Sequence, residues 1–161
     1  ASDVYKRQGG GLILKDKLES ILSEYDYIFI DTSPSLGALT LNALAVSDKV
    51  IVPVQTQFYA LRGLAQLLNM VNIVRERIDP GLCKVRILAT MYDPRTRLSQ
   101  SILSELRKNF KEELFHTIIP VSTRLAEAPS YGLPGFLYDP SCSGTKAYQR
   151  LAMEVISDEK K

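Results

Sequence analysis

The stretch Tyr25-Asp26-Tyr27-Ile28-Phe29-Ile30-Asp31-Thr32-Ser33-Pro34-Ser35-Leu36-Gly37 decides the fold class. An apolar run over 27–30 ends in an acid and passes at once into a Pro/Ser/Gly turn. Apolar residues then resume at helical spacing over 36–46. In a parallel α/β sheet this pattern puts a carboxylate at the carboxyl end of a buried strand, where such sheets take their ligands. In phosphate-handling proteins an Asp at that place holds Mg²⁺ or its water, and the turn after it senses the terminal phosphate. From the residues alone, Asp31 is such a ligand, a helix cap or a solvated turn residue. The triple glycine at 9–11 lacks the Lys-Ser/Thr of a phosphate loop and follows no predicted strand.

Outward from this stretch, strand and helix patterns alternate. Leu14, Leu18, Ile21 and Leu22 share a helical face before it. After it come an apolar strand over 49–54 and a long helix over 59–78 striped by Leu61, Leu64, Leu68, Val71 and Val74, stopped by Asp79-Pro80-Gly81. A strand over 85–91, an amphipathic helix over 99–110 and a short strand over 115–119 follow. A closing helix over 145–156 carries Tyr148, Leu151, Ala152 and Val155 on one face. The strands are continuous apolar runs, which predicts a doubly wound, mostly parallel sheet with helices on both faces. The turns after Ile30, Val54, Met91 and Ile119 then share one sheet edge, and function is expected there.

The 161 residues are 45% hydrophobic, enough for a core. Twenty Lys and Arg against eighteen Asp and Glu leave a net charge of +2, so any nucleic-acid contact has to be a local basic surface. Cys83 and Cys142 are far apart with no metal-ligand spacing, which predicts free thiols in a reducing compartment. No apolar run has the length of a membrane span and no leader is evident, so a cytoplasmic location is expected. His116 has no carboxylate at motif spacing and is read as a surface or strand-edge residue.

Read in order, the blocks YDYIFIDTSPSLG (25–37), LTLNAL (39–44), VIVPVQTQFYALRGLAQLL (50–68), TMYDPRTRLSQ (90–100) and TIIPVSTRLAEAPSYGLP (117–134), then YDP and GTKAY (138–148), resemble the ParA/Soj partitioning ATPases. These are MinD-like P-loop proteins of the deviant Walker-A group. The resemblance implies residues 12–156 as the C-terminal part of such a domain, 1–11 as a non-matching segment and 157–161 as a tail. It implies Asp31 as the Walker-B/switch-II acid, acting on Mg²⁺ through water, with Pro34 and Ser35 in the catalytic switch turn. Met91, Asp93, Pro120 and Val121 would frame the adenine of ATP. Arg95 and Arg124 would bind DNA without sequence preference, with Arg97 and Lys108 as weaker candidates. The arginine fork suits phosphate oxygens and stays charged.

The family further implies an ATP-driven homodimer, nucleoid association in a bacterial cytoplasm, and hydrolysis stimulated by a ParB-like centromere-binding protein. Ser33 replaces a switch proline, Gln57 and Arg62 stand where acids are usual, and Val121 and Ser143 stand where basic residues are usual. The Gly63 position is read as close helix packing. The family's KGGxGKT-type loop does not occur in these residues. Neither tight ATP binding nor hydrolysis is therefore expected of this chain by itself. One alternative is a MinD-like membrane-associated ATPase, against which the mixed-charge end Ser157-Asp158-Glu159-Lys160-Lys161 speaks. The other is a non-enzymatic receiver-like or scaffold domain with Asp31 as phosphate acceptor.

Overall fold

The computed structural model describes residues 13–32, 37–77 and 84–158. Its elements are α1 (Ile13–Leu18), α2 (Ala38–Leu44), β1 (Lys49–Gln55), α3 (Ala60–Arg77), β2 (Lys84–Thr90), α4 (Arg97–Asn109), α5 (Thr123–Glu127), α6 (Gly135–Tyr138) and α7 (Ser143–Asp158). Single 3-10 turns stand at Leu22–Glu24 and Ala128–Tyr131. The chain forms two compact units, one of residues up to Val50 with Ala65–Lys84, the other of Ile51–Leu64 with residues from Val85 onward.

In the first unit, α1 and α2 touch, and Thr40, Ala43, Leu44 and Ala45 are buried. The stripe predicted for α3 is present: in the first unit Val71 and Val74 are buried and Leu68 is half-buried, and in the second Leu64 is buried and Leu61 half-buried. The Asp79-Pro80-Gly81 stop lies outside the described residues. The strand predicted over 27–30 does not form. Those residues are irregular, and Phe29 is 82% exposed. A parallel strand is made by neighbours on its edges and layers on its faces, and the described ladder contains only β1 and β2.

The second unit holds the sheet. β1 and β2 are hydrogen-bonded neighbours joined through α3, hence parallel. Val85, Ile87, Leu88, Ala89 and Thr90 are all buried, so β2 is covered on both faces as its unbroken apolar run predicts. Around Leu88 pack Phe115, Ile119, Ala147 and Leu151, with Ile51 and Val155 against them. Ile102, Leu103 and Leu106 turn α4 inward, and Thr96 caps its first turn by accepting from the Ser99 N–H.

The strand predicted over 115–119 is replaced by a parallel segment with a gap. It bonds β2 through Ile87 N–H to Glu113 O (2.8 Å), Phe115 N–H to Ile87 O (2.9 Å) and Ile119 N–H to Ala89 O (2.9 Å). Between these, the His116 and Thr117 N–H groups donate to the Glu154 carboxylate of α7 at 2.7 and 2.9 Å. The charged oxygens take two donors that a neighbouring carbonyl ladder would otherwise satisfy.

The face predicted for the closing helix is also rotated. Gly144, Ala147 and Leu151 are buried, whereas Tyr148 is 48% exposed and Ala152 is exposed. The register is set at Gly144, where a Cβ would lie 2.8 Å from Ser122 Cβ and 2.9 Å from Leu125 Cγ. Gly63 is the opposite case and corrects the packing expectation. It is exposed on α3, and a Cβ there meets nothing within 4 Å.

Candidate functional site

The turns after β2 and after the 113–121 segment are tied to each other. Tyr92 donates its N–H to Ile119 O and Val121 donates its N–H to Tyr92 O, both at 3.1 Å. Between these turns and the start of α7 opens a cleft of about 390 Å³. Asp93, Arg95, Pro120, Val121 and Arg124, five of the residues singled out from sequence, line it together.

The β2 turn is firmly built. Met91 takes φ 51°, a left-handed conformation uncommon outside glycine, and such strain gathers at ligand-binding turns. Its carbonyl accepts from the Thr56 hydroxyl at 3.1 Å. That hydroxyl also pairs with Ser99 Oγ, and Ser99 Oγ accepts the Asp93 N–H at 3.1 Å. Thr56 and Ser99 are buried. Neither was predicted from sequence. The only available signal was the Thr96-x-x-Ser99 start of α4, which reads as capping.

Asp93 and Arg95 form a bidentate ion pair, with Arg95 Nε donating to Oδ1 (2.9 Å) and Nη2 to Oδ2 (2.8 Å). The Arg95 backbone N–H adds a third bond at 3.0 Å. These bonds hold the Asp93 carboxyl down at about 2. The Arg95 side chain is nevertheless 85% exposed.

Arg124, 57% exposed, reaches Glu127 at 3.2 Å and Asp139 at 3.5 Å, while the Tyr138 hydroxyl donates to the same Glu127 oxygen at 3.0 Å. Asp139 is fixed in turn by the Ser141 hydroxyl and the N–H groups of Ser141 and Cys142. The Ser141 hydroxyl bond comes first among the causes that hold its carboxyl below the usual range. Cys142 sits just before α7 and accepts from Thr145 N–H at 3.4 Å. Burial pushes its thiol up, but bonds from Thr145 outweigh this and leave it lowered.

Tyr92, Pro94, Ser122, Thr123, Cys142 and Ser143 complete the lining and were not named as site residues from sequence. Turn residues of this kind carry no periodic signal, and only the pairing of the two turns brings them to one place. Met91 adjoins the cleft in sequence but is not part of its wall.

Asp31 belongs to the first unit and is exposed at the end of the irregular 27–32 segment. Pro34 and Ser35 lie outside the described residues. Among the described residues no group of three or more His, Cys, Asp or Glu could hold a metal. Among the described residues Asp31 is an exposed carboxylate in no such group, and Mg²⁺ is commonly held by one or two carboxylates beside waters and phosphate oxygens. No helix among the described residues is long and apolar enough to cross a membrane.

The model of the family described as AAA domain matches residues 3–84. The chain is 47% identical over 145 residues to the sporulation initiation inhibitor protein Soj of Bacillus subtilis, a match covering 90% of this chain and 57% of that protein. It is 43% identical over 143 residues to the chromosome partitioning protein ParA of Myxococcus xanthus, covering 89% and 50%. It thus spans about half the length of these relatives. Cobyrinic acid a,c-diamide synthase from Mycobacterium smegmatis, solved with a bound ATP analogue and magnesium, superposes with a TM-score of 0.76 at 29% identity, covering 92% of this chain and 54% of that one. The α/β fold, the family model and the run of close relatives agree, and the chain belongs to the AAA-domain family in its ParA/Soj branch.

Proposed function

We propose that this chain serves DNA segregation as part of a ParA-type ATPase. The observation that carries the reading is a cleft at which two parallel segments end, gathering Asp93, Pro120 and Val121 with Arg95 and Arg124. The loops at Met91–Asp93 and Pro120–Val121 frame the base of ATP, where apolar walls and fixed backbone groups are what a planar base needs. Asp31 acts on Mg²⁺ through water, and the turn with Pro34 and Ser35 is the switch. ATP drives homodimerisation on nucleoid DNA in the bacterial cytoplasm, and a ParB-like centromere-binding protein stimulates hydrolysis.

Arg95 and Arg124 contact phosphates without reading bases, so two per protomer are doubled in a dimer and add avidity without a high net charge. Salt-dependent binding of random-sequence duplex DNA, followed with and without ATP and Mg²⁺, tests the reading. Arg95→Ala combined with Arg124→Ala should remove most of the affinity, and each replacement should lower the salt slope by about 1. Unchanged affinity and slope in the double variant would sink the assignment.

A further inference from the structure

The two cleft arginines are not available as free cations. Arg95 has its Nε/Nη2 edge closed on Asp93, and Arg124 is engaged by Glu127 and Asp139. Two guanidinium charges are therefore opposed by three carboxylates, those of Asp93, Glu127 and Asp139, which offset the charge a polyanion meets at these two side chains. The planar edge of Arg95 that would grip a phosphate bidentately already holds a carboxylate of the same fork geometry. Of the three acids, Asp139 is fixed by bonds from Ser141 and Cys142. The Asp93 carboxylate is bonded, among the described residues, within its own turn, to the side chain and backbone N–H of Arg95. Glu127 is held by Arg124 and Tyr138.

We infer that Asp93 and Glu127 are internal competitors that mask Arg95 and Arg124, so that DNA reaches these two guanidinium groups only by displacing the carboxylates. The inference rests on the proposed DNA-binding role of the arginines and adds its regulation. Both masked pairs are exposed enough to exchange partners quickly, because an exposed ion pair is weak. A phosphate lattice presenting many oxygens at once can outcompete one carboxylate, where a single small anion would not.

The experiment is fluorescence anisotropy of a random-sequence duplex with this chain in a salt series. Asp93→Asn and Glu127→Gln keep the side-chain shapes and remove the competing charges, and each should tighten binding about two- to fivefold. Glu105→Gln makes the same change in net charge at a carboxylate that accepts from Asn109 and does not line the cleft, and should tighten binding less. In an Arg95→Ala background, Asp93→Asn should give no more than that control. If Asp93→Asn and Glu127→Gln do no better than Glu105→Gln while the arginine variants still lose binding, the masking is wrong and the DNA site stands. If the arginine variants bind like the parent chain, or no variant binds at all, the DNA site fails and the masking fails with it.

Discussion

At Asp93 a few ångströms decide what the β2 turn can do. The carboxylate closes on the guanidinium two residues away, and the same oxygens that orient Arg95 also cancel its charge. Neither fact is visible in Asp93-Pro94-Arg95 as a string, where both residues read as independent polar turn residues. Glycines show the same limit. Gly63 looked like a packing glycine by its place in the family pattern, yet open space surrounds it, while Gly144 supplies a close approach that its sequence context did not announce. Gly63→Ala should therefore stabilise the chain by about 0.5–1 kcal/mol, through helix propensity and a less free unfolded state. A chemical denaturation series would show this as a higher midpoint at unchanged m-value, and a lower midpoint would contradict the open-space reading.

Among the elements, α7 does more than cover the sheet. Its Glu154, with a side chain 14% exposed, bridges the gap in the 113–121 segment and also reaches Arg86 at 3.6 Å. Arg86 in turn pairs with Asp158 at 3.0 Å and lies 4.4 Å from the Phe115 ring centre. Burial alone would raise the Glu154 carboxyl, but the N–H groups of His116 and Thr117 hold it below its ordinary value. Glu154→Ala should cost about 1–3 kcal/mol by leaving those donors unsatisfied. Faster amide exchange at 116 and 117 is the expected signature, and unchanged exchange would remove Glu154 from this role. Amphipathic spacing revealed α3 and α4 with their buried stripes, because one helix face repeats locally. It misplaced the face of α7, whose rotation depends on Gly144 seating against Ser122 and Leu125.

At the scale of the molecule, three depressed carboxyls among the described residues shape the response to acid. Asp93, Asp139 and Glu154 all have folded values below their ordinary ones, Asp93 at about 2. In this pH range the unfolded chain binds more protons than the folded one. These groups therefore contribute stability above about pH 4, and that contribution is lost as pH falls through the folded values toward 2. The thermal midpoint should fall across that window, and an Arg95→Ala chain should show the Asp93 carboxyl titrating closer to its ordinary value by NMR. A midpoint independent of pH down to 2 would refute the linkage. The amino-acid sequence by itself determined the α/β class, the placing of β1, α3, β2 and α4, the buried run of β2, and membership of the ParA/Soj line, because these rest on local periodicity and on motif blocks written in chain order. Only the tertiary structure decided that 27–30 does not pair as a strand, that the 113–121 ladder is broken and mended by a carboxylate, and that the cleft arginines are already engaged. Strand pairing, helix rotation and ion pairing each join residues that meet through the fold, and no local pattern records such a meeting.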